Sequence, residues 1–328
     1  MKEANIMLQI FACYLPSSVP FNYRTEVVLK MLNKVEQEID TNSKKITVCT
    51  DISSVKQALH QKKIGAILAI ENGMAIENNI KNLKMFFDKG IRLMTIVHAE
   101  SHDWAISSND ENPDFNGLTD FGEKIITAMN EMGMIIDLSH SHDSTVKRVL
   151  SITKKPVIAS HSCVYSLCPV HRNLKDKLIK GIADCGGMIG INFFPGFLDS
   201  SYSKIMTAKV GVLFDELNNM ERKASADIVT ITNLYNRFNL KFLKAMPASK
   251  VPVTRIFDHL DYIINLVGDD FVGFGSDFDG IPDFPVGIKD CRGFNLISEQ
   301  LTKKGYSEQT IEKICYKNFL RVFEAHQP

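Results

Sequence analysis

The sequence predicts an α/β protein built on a parallel sheet, and three observations lead there. Short, nearly all-apolar runs recur along the chain, as strands covered on both faces require. Amphipathic stretches of helical period separate them, with no internal repeat or low-complexity tract. The residue that closes such a run is repeatedly a histidine or a carboxylate. Repeated βα units form either an open, doubly wound sheet or a closed (β/α)8 barrel. A length of 328 residues suits a barrel running as one domain, 1–328.

Taken in order, the first strand is Ile6–Tyr14. A helix follows, with Val28, Leu32, Val35 and Ile39 on one face. Lys45–Thr50 reads as a short accessory edge strand, because Lys44 and Lys45 lead it and its spacing is poor. Gly65–Ile70 and Arg92–Val97 are the next strands. A helix then begins at Thr119 as N-cap, with Asp120 and Glu123 in its first turn and Phe121, Ile125 and Met129 on its apolar stripe; Gly133 closes it. Met134–Leu138, Pro156–Ser160, Met188–Phe193 and Phe271–Gly275 complete the strands. That makes seven, where a closed barrel of this kind needs eight. Between Phe194 and Asp270 there is far more chain than one connection needs. Val210, Phe214 and Leu217 form one helical stripe there, and Ile231, Leu234, Tyr235, Phe238 and Phe242 another, so residues 197–255 read as a helical insertion over one rim.

Composition narrows the function classes. With 38 Lys+Arg against 38 Asp+Glu there is no long-range attraction for nucleic acid or an anionic bilayer. Seven cysteines without a repeating spacing fit neither a zinc ribbon nor a disulfide framework, and a reducing cytoplasm is expected. No apolar run reaches a membrane span. The opening MKEANIMLQIFACYLPSS has Glu3 and no small-residue cleavage site, which argues against a signal peptide. No run is followed by a Gly-rich phosphate loop, so a nucleotide-binding doubly wound protein loses ground.

Function in parallel α/β folds gathers at the C-terminal ends of strands. Glu71 closes AILAIE, His98 closes LMTIVH, His140 closes MIIDLSH, His161 closes VIASH and Asp277 closes VGFGSD. A lone histidine after a strand is more often a satisfied loop residue than a ligand, but five such endings together point to one mouth. Imidazoles and carboxylates converging there are what one Zn²⁺, or two sharing a carboxylate, require. A hydroxide held between two metals is a nucleophile near neutral pH, suited to an amide or an ester.

IENGMAI, TIVHAESHDWA, NGLTDFG, IIDLSHS, PVIASHS with HRN following, and GFGSDFDGIPD resemble, in order, the membrane (renal) dipeptidase family of zinc peptidases, most of all its soluble bacterial members. GSDFDG and the two SH dipeptides, their histidines twenty-one residues apart, are the most specific of these. The resemblance runs from about Ile6 to Leu320. It implies a TIM-type (β/α)8 metal-dependent hydrolase barrel and a zinc-dependent dipeptidase working through a metal-bound hydroxide. By position, Glu71 matches the glutamate bridging two zincs, and His140 and His161 match the histidines of the second zinc. Asp277 matches the aspartate at the first zinc, which also passes a proton to the leaving amine. His98 matches the histidine supporting the oxyanion. Arg172, eleven residues past His161, matches the arginine that binds the substrate's C-terminal carboxylate; otherwise it would be an ordinary surface arginine. The implied partners are a small dipeptide and a second copy of the chain.

Other polar residues read as structural. His142 is expected beside the metal ligands or at the start of the next helix, and Asp279 as an orienting or loop-fixing carboxylate. His102 and Asp103 line the cleft or pack a loop on Trp104. His259 belongs to a helix, and His60, His171 and His326 are ordinary. The family's first strand ends in His-x-Asp, both residues binding the first zinc, and no such motif precedes Ile6. The barrel is therefore expected to lack its first strand. A truncated start is the favoured reading, beside a degenerate member with one metal and a gap patched by Lys45–Thr50. An impaired pseudoenzyme and a barrel hydrolase of another small amide or lactone are the alternative functions.

Overall fold

The structure, a computed structural model, describes residues 1–221 and 227–327; the side chains of Phe214 and Ile231, assigned above to helical stripes, lie outside what is described. Its strands are β1 (Leu8–Tyr14), β2 (Ile46–Val48), β3 (Ile64–Glu71), β4 (Ile91–Thr95), β5 (Ile135–Asp137), β6 (Ile158–Ala159), β7 (Met188–Ile191) and β8 (Val272–Phe274). The helices between them are α1 (Arg24–Thr41), α2 (Ile52–His60), α3 (Ile80–Asp88), α4 (Asp120–Met132), α5 (Asp143–Ile152), α6 (Asp176–Asp184), α7 (Pro195–Leu198), α8 (Ser200–Glu221), α9 (Ile228–Ala245) and α10 (Thr254–Val267). After β8 come α11 (Phe294–Lys303), α12 (Glu308–Glu312) and α13 (Asn318–Ala325).

All pairings are parallel and run β1-β3-β4-β5-β6-β7-β8, so each strand anticipated from the apolar runs is present. Local chemistry sets the helix ends. Thr119 accepts the Gly122 N–H at the start of α4, and Gly133 ends it at φ 81°, a left-handed backbone that glycine adopts without strain. Asp51 and Ser54 form a reciprocal capping box on α2.

Lys45–Thr50 does form a strand, but it does not patch the barrel. β2 pairs with the first half of β3, Ile46 to Ile64 and Val48 to Ala66, and β4 takes over the same edge from Leu68 onward. The Ile64 N–H goes to Lys45 O on that edge, whereas the Gly65 N–H goes to Met7 O on the other, as alternation along a strand demands. Among the described residues nothing pairs β8 with β1. The sheet is a curled, open barrel with a seam between its first and last strands.

Side-chain parity divides the core in two. Ala66, Leu68 and Ile70 of β3 pack outward with the helices, while Ile67 and Ala69 point inward. Inside, Ile67 and Ala69 meet Leu93, Ile135, Ile158 and Met188 from the next four strands, with Val55 and Ala58 of α2 and Val322 and Phe323 of α13 closing the base. Two residues further along those strands the inward positions turn polar: Thr95, Asp137 and Ser160 follow Leu93, Ile135 and Ile158. Glycine makes room there. A Cβ on Gly190 would lie 2.1 Å from the Ser160 carbonyl oxygen, and one on Gly275 only 1.9 Å from it. The strand ends of β6, β7 and β8 thus converge just below the mouth.

Candidate metal centre

Glu71 is the last residue of β3 and shares the inward parity of Ile67 and Ala69. In register beside it on β1 stands Tyr14. His98, His140 and His161 follow the ends of β4, β5 and β6 within three residues. His140 (φ 69°) and Asp277 (φ 58°) hold left-handed backbone, uncommon for side chains with a Cβ and costly enough to require support from their surroundings.

These placements bring four side chains together. Glu71 Oε1 lies 3.2 Å from His140 Nε2, 3.5 Å from His161 Nε2 and 3.8 Å from His98 Nε2. The two Nε2 atoms of His140 and His161 are 2.8 Å apart. Ligand atoms of Glu71, His98 and His140 all fall within 4.8 Å of one another. The His98 ring sits between its neighbours, with centroids 4.1 Å from His140 and 4.6 Å from Tyr14.

Burial dominates the electrostatics. It raises the Glu71 carboxyl, and the Asp277 and Asp137 carboxylates raise it further. It lowers the imidazoles: His98 to about 3, with Arg172 and His161 adding to the effect, and His140 well below the usual range, with Arg172 and His98 contributing. His161 is also lowered, although Asp277 opposes the shift. Neutral imidazoles offer lone pairs, and carboxylates crowded out of water need a positive charge. This donor set fits a divalent cation of the zinc type.

Asp277, after the edge strand β8, is held by Asn192, whose Nδ2 donates to Oδ2 at 2.9 Å; the Asn192 Oδ1 in turn accepts the Phe194 N–H at 2.6 Å. Arg172 is buried, its guanidinium 5.3 Å from the Phe197 ring centroid. Its Nη2 donates to the His161 carbonyl at 3.3 Å, and its Nε has no partner among the described residues. A guanidinium carries five N–H donors, so one buried beside this cluster has capacity to spare.

The weaker candidates resolve into structure. His142 caps α5, its Nδ1 accepting the Ser144 N–H. His102 donates through Nε2 to the Ile96 carbonyl at 2.9 Å and packs on Trp104, so it belongs to the loop. His259 on α10 ties the Val164 N–H to the Leu198 carbonyl. The Nε2 of His326 meets Pro156 O, and the Nδ1 of His171 meets the Ser108 hydroxyl. Reading strand ends alone missed Asn192, Asp137 and Ser160. Continuing the inward parity by two residues past Met188, Ile135 and Ile158 finds the last two directly, and Asn192 one step further.

Comparison with known proteins fits this arrangement. Dipeptidase 3 of Rattus norvegicus is 26% identical over 327 residues, 98% of this chain and 57% of the rat protein, so the chain spans little more than half the length of that curated relative. A metallopeptidase from Rhodobacter sphaeroides, solved with a phosphinate mimic of the dipeptide L-Ala-D-Ala, superposes with a TM-score of 0.80 at 23% identity, over 100% of this chain and 89% of that one. The probable dipeptidase PvdM of Pseudomonas aeruginosa gives a TM-score of 0.81 at 21% identity, covering 99% of this chain and 87% of its own. At such identities the structures establish a common fold. The family described as membrane dipeptidase (Peptidase family M19) matches residues 1–328, and the chain belongs to that family.

Proposed function

We propose that this chain is a zinc-dependent dipeptidase, hydrolysing short peptides that end in a free carboxylate. The observation that carries the reading is a buried arginine, Arg172, with an N–H unpartnered among the described residues, beside three neutral imidazoles gathered on one carboxylate. The similarity to Dipeptidase 3 of Rattus norvegicus and the dipeptide mimic bound to a structural neighbour support it.

Glu71, His140 and His161 would hold one metal, and Glu71 with Asp277 a second. Bound there, zinc supplies Lewis acidity, acidifying water and polarising a carbonyl. The protein does the rest. Arg172 takes the substrate carboxylate, fixing which peptide bond reaches the centre. The Nδ1 of His98 is buried without a partner among the described residues, so the ring can carry its proton on Nε2 and donate it to the carbonyl oxygen as negative charge develops. Asp277, steadied by Asn192, receives a proton and delivers it to the departing amine. A second arrangement, with one metal on Glu71, His98 and His140, is favoured by the close approach of their ligand atoms. We place the chain in the cytoplasm on its unpaired cysteines; no described helix is long and apolar enough to cross a membrane.

The test is zinc per chain by elemental analysis, with hydrolysis of Leu-Ala and of its C-terminal amide measured on the same sample. Two zincs and turnover of the free acid only support the proposal. Equal turnover of the amide removes the role of Arg172, and absence of both zinc and turnover leaves a pseudoenzyme.

A further inference from the structure

Below the histidines lies a fully buried carboxylate that the proposed chemistry does not use. Asp137 ends β5 with no exposed surface. Four donors converge on it. The Ser139 N–H and the Ser160 N–H reach Oδ1 at 3.0 and 2.8 Å, and the hydroxyls of Thr95 and Ser160 reach Oδ2, both at 2.6 Å. With two N–H groups and two hydroxyls directed at its oxygens, Asp137 serves here as the acceptor.

That fixes the direction of every proton in the chain of contacts. The single hydroxyl proton of Ser160 is committed to Asp137. Ser160 Oγ also stands 2.7 Å from His161 Nδ1 and 3.3 Å from the Ser139 hydroxyl. With its own proton spent, it can only accept from both. His161 Nδ1 must therefore carry the ring proton, which leaves the Nε2 lone pair facing Glu71 and His140. Ser139 is free to donate toward Ser160 because its oxygen accepts the His161 backbone N–H at 3.0 Å.

We infer that Asp137, acting through the Ser160 hydroxyl, is a positioning residue that sets the tautomer and ring orientation of His161 for metal binding. The inference rests on His161 being a ligand in the proposed centre. Outer partners of ligating histidines commonly set the tautomer and are worth roughly 10- to 100-fold in metal affinity. His98 makes the contrast inside the same cluster: among the described residues its Nδ1 has no such partner to fix its proton.

The experiment measures zinc affinity of the full chain by chelator competition, together with the exchange-protected Nδ1–H resonance of His161 in ¹⁵N-histidine-labelled, zinc-loaded protein. Ser160→Ala should weaken zinc about 10- to 100-fold and lose the protected resonance. Ser160→Thr, which restores a hydroxyl, should recover both. Asp137→Asn should be worse than Ser160→Ala, because an amide donor can reverse the Ser160 proton and push the ring proton onto Nε2. If Ser160→Ala keeps zinc affinity within about twofold and retains the resonance while His161→Ala loses zinc, the relay is wrong and the metal centre stands. If His161→Ala also leaves zinc affinity unchanged, the ligand assignment itself falls, and this inference with it.

Discussion

The two halves of the curled sheet hold their functional residues by different means. Glu71, His98, His140 and His161 follow β3 to β6, each hydrogen-bonded to a strand on either side. Asp277 follows β8, and Tyr14 ends β1, the two strands that face the seam and are paired on one side only. In the paired half the ladder itself sets where the strand ends lie. At the seam, side chains replace it: Asn192 grips Asp277, the Tyr235 hydroxyl of α9 donates to that of Tyr14 at 2.8 Å, and Asn295 of α11 donates to the Glu3 carbonyl. Backbone pairing distributes position over many bonds, whereas a side-chain grip concentrates it in one or two. Substitutions in the paired half should therefore change chemistry while sparing the fold, and those at the seam should change both.

The largest effect is expected in the paired half. Glu71→Gln removes the charge on which three imidazoles converge, and zinc affinity should fall by at least about 100-fold. Without metal, the same variant should melt no lower than the parent, because it removes a buried carboxylate that Asp277 and Asp137 already disfavour. Calorimetry of the stripped proteins decides this; a clear drop in melting temperature would show that Glu71 also holds the fold.

Acid should act next, in the helical layer over β7 and β8. Buried His259 accepts from Val164 and faces the Leu198 carbonyl, an arrangement that needs the neutral ring, and burial lowers it from 6.5 to about 4. The unfolded chain therefore binds a proton between those values that the folded chain refuses. Stability from this group is complete above pH 6.5 and is lost as pH falls toward 4, on the order of 3 kcal/mol at most. Denaturant midpoints between pH 7 and 4.5 should fall more steeply for the parent than for His259→Gln. Parallel curves would remove His259 as a source of acid sensitivity.

At the seam, Asn192→Ala strips Asp277 of its grip and leaves the Phe194 N–H without an acceptor, for a cost of about 1–3 kcal/mol. Turnover should fall about tenfold with KM little changed, since a proton-handling group loosens while the carboxylate anchor stays. An unchanged kcat would mean that the left-handed turn alone holds Asp277. The smallest effect is expected for Tyr235→Phe, which deletes one half-buried hydrogen bond worth about 0.5–1.5 kcal/mol. Hydrogen exchange should then quicken in β1 while β4 to β7 stay protected. Uniform quickening would abolish the distinction between the two halves.

Much of this was legible beforehand because it is local. Apolar runs marked every strand of the sheet, Thr119 and Gly133 bounded α4, and the residues closing five runs are the ones considered for the centre. Asp137 and Ser160 escaped notice because a carboxylate and a hydroxyl inside apolar runs look like tolerated exceptions. Their meaning depends on each other, across two strands and twenty-three residues of sequence. Lys45–Thr50 was recognised as a strand, but its neighbour was not, since pairing partners compete for an edge that no single segment reveals.

By itself, then, the sequence determined where the strands fall along the chain, the ends of α4 and which polar residues crown the strands, because apolar runs and capping act over a few residues. Only the tertiary structure decided that His98, His140 and His161 gather within 4 Å of the Glu71 carboxylate, that the Asp137 to Ser160 to His161 protons run in one direction, and that β1 and β8 stay apart. Those outcomes depend on how tightly the sheet curls and on which donors are left once each strand has chosen its partner, and both are properties of the packed whole.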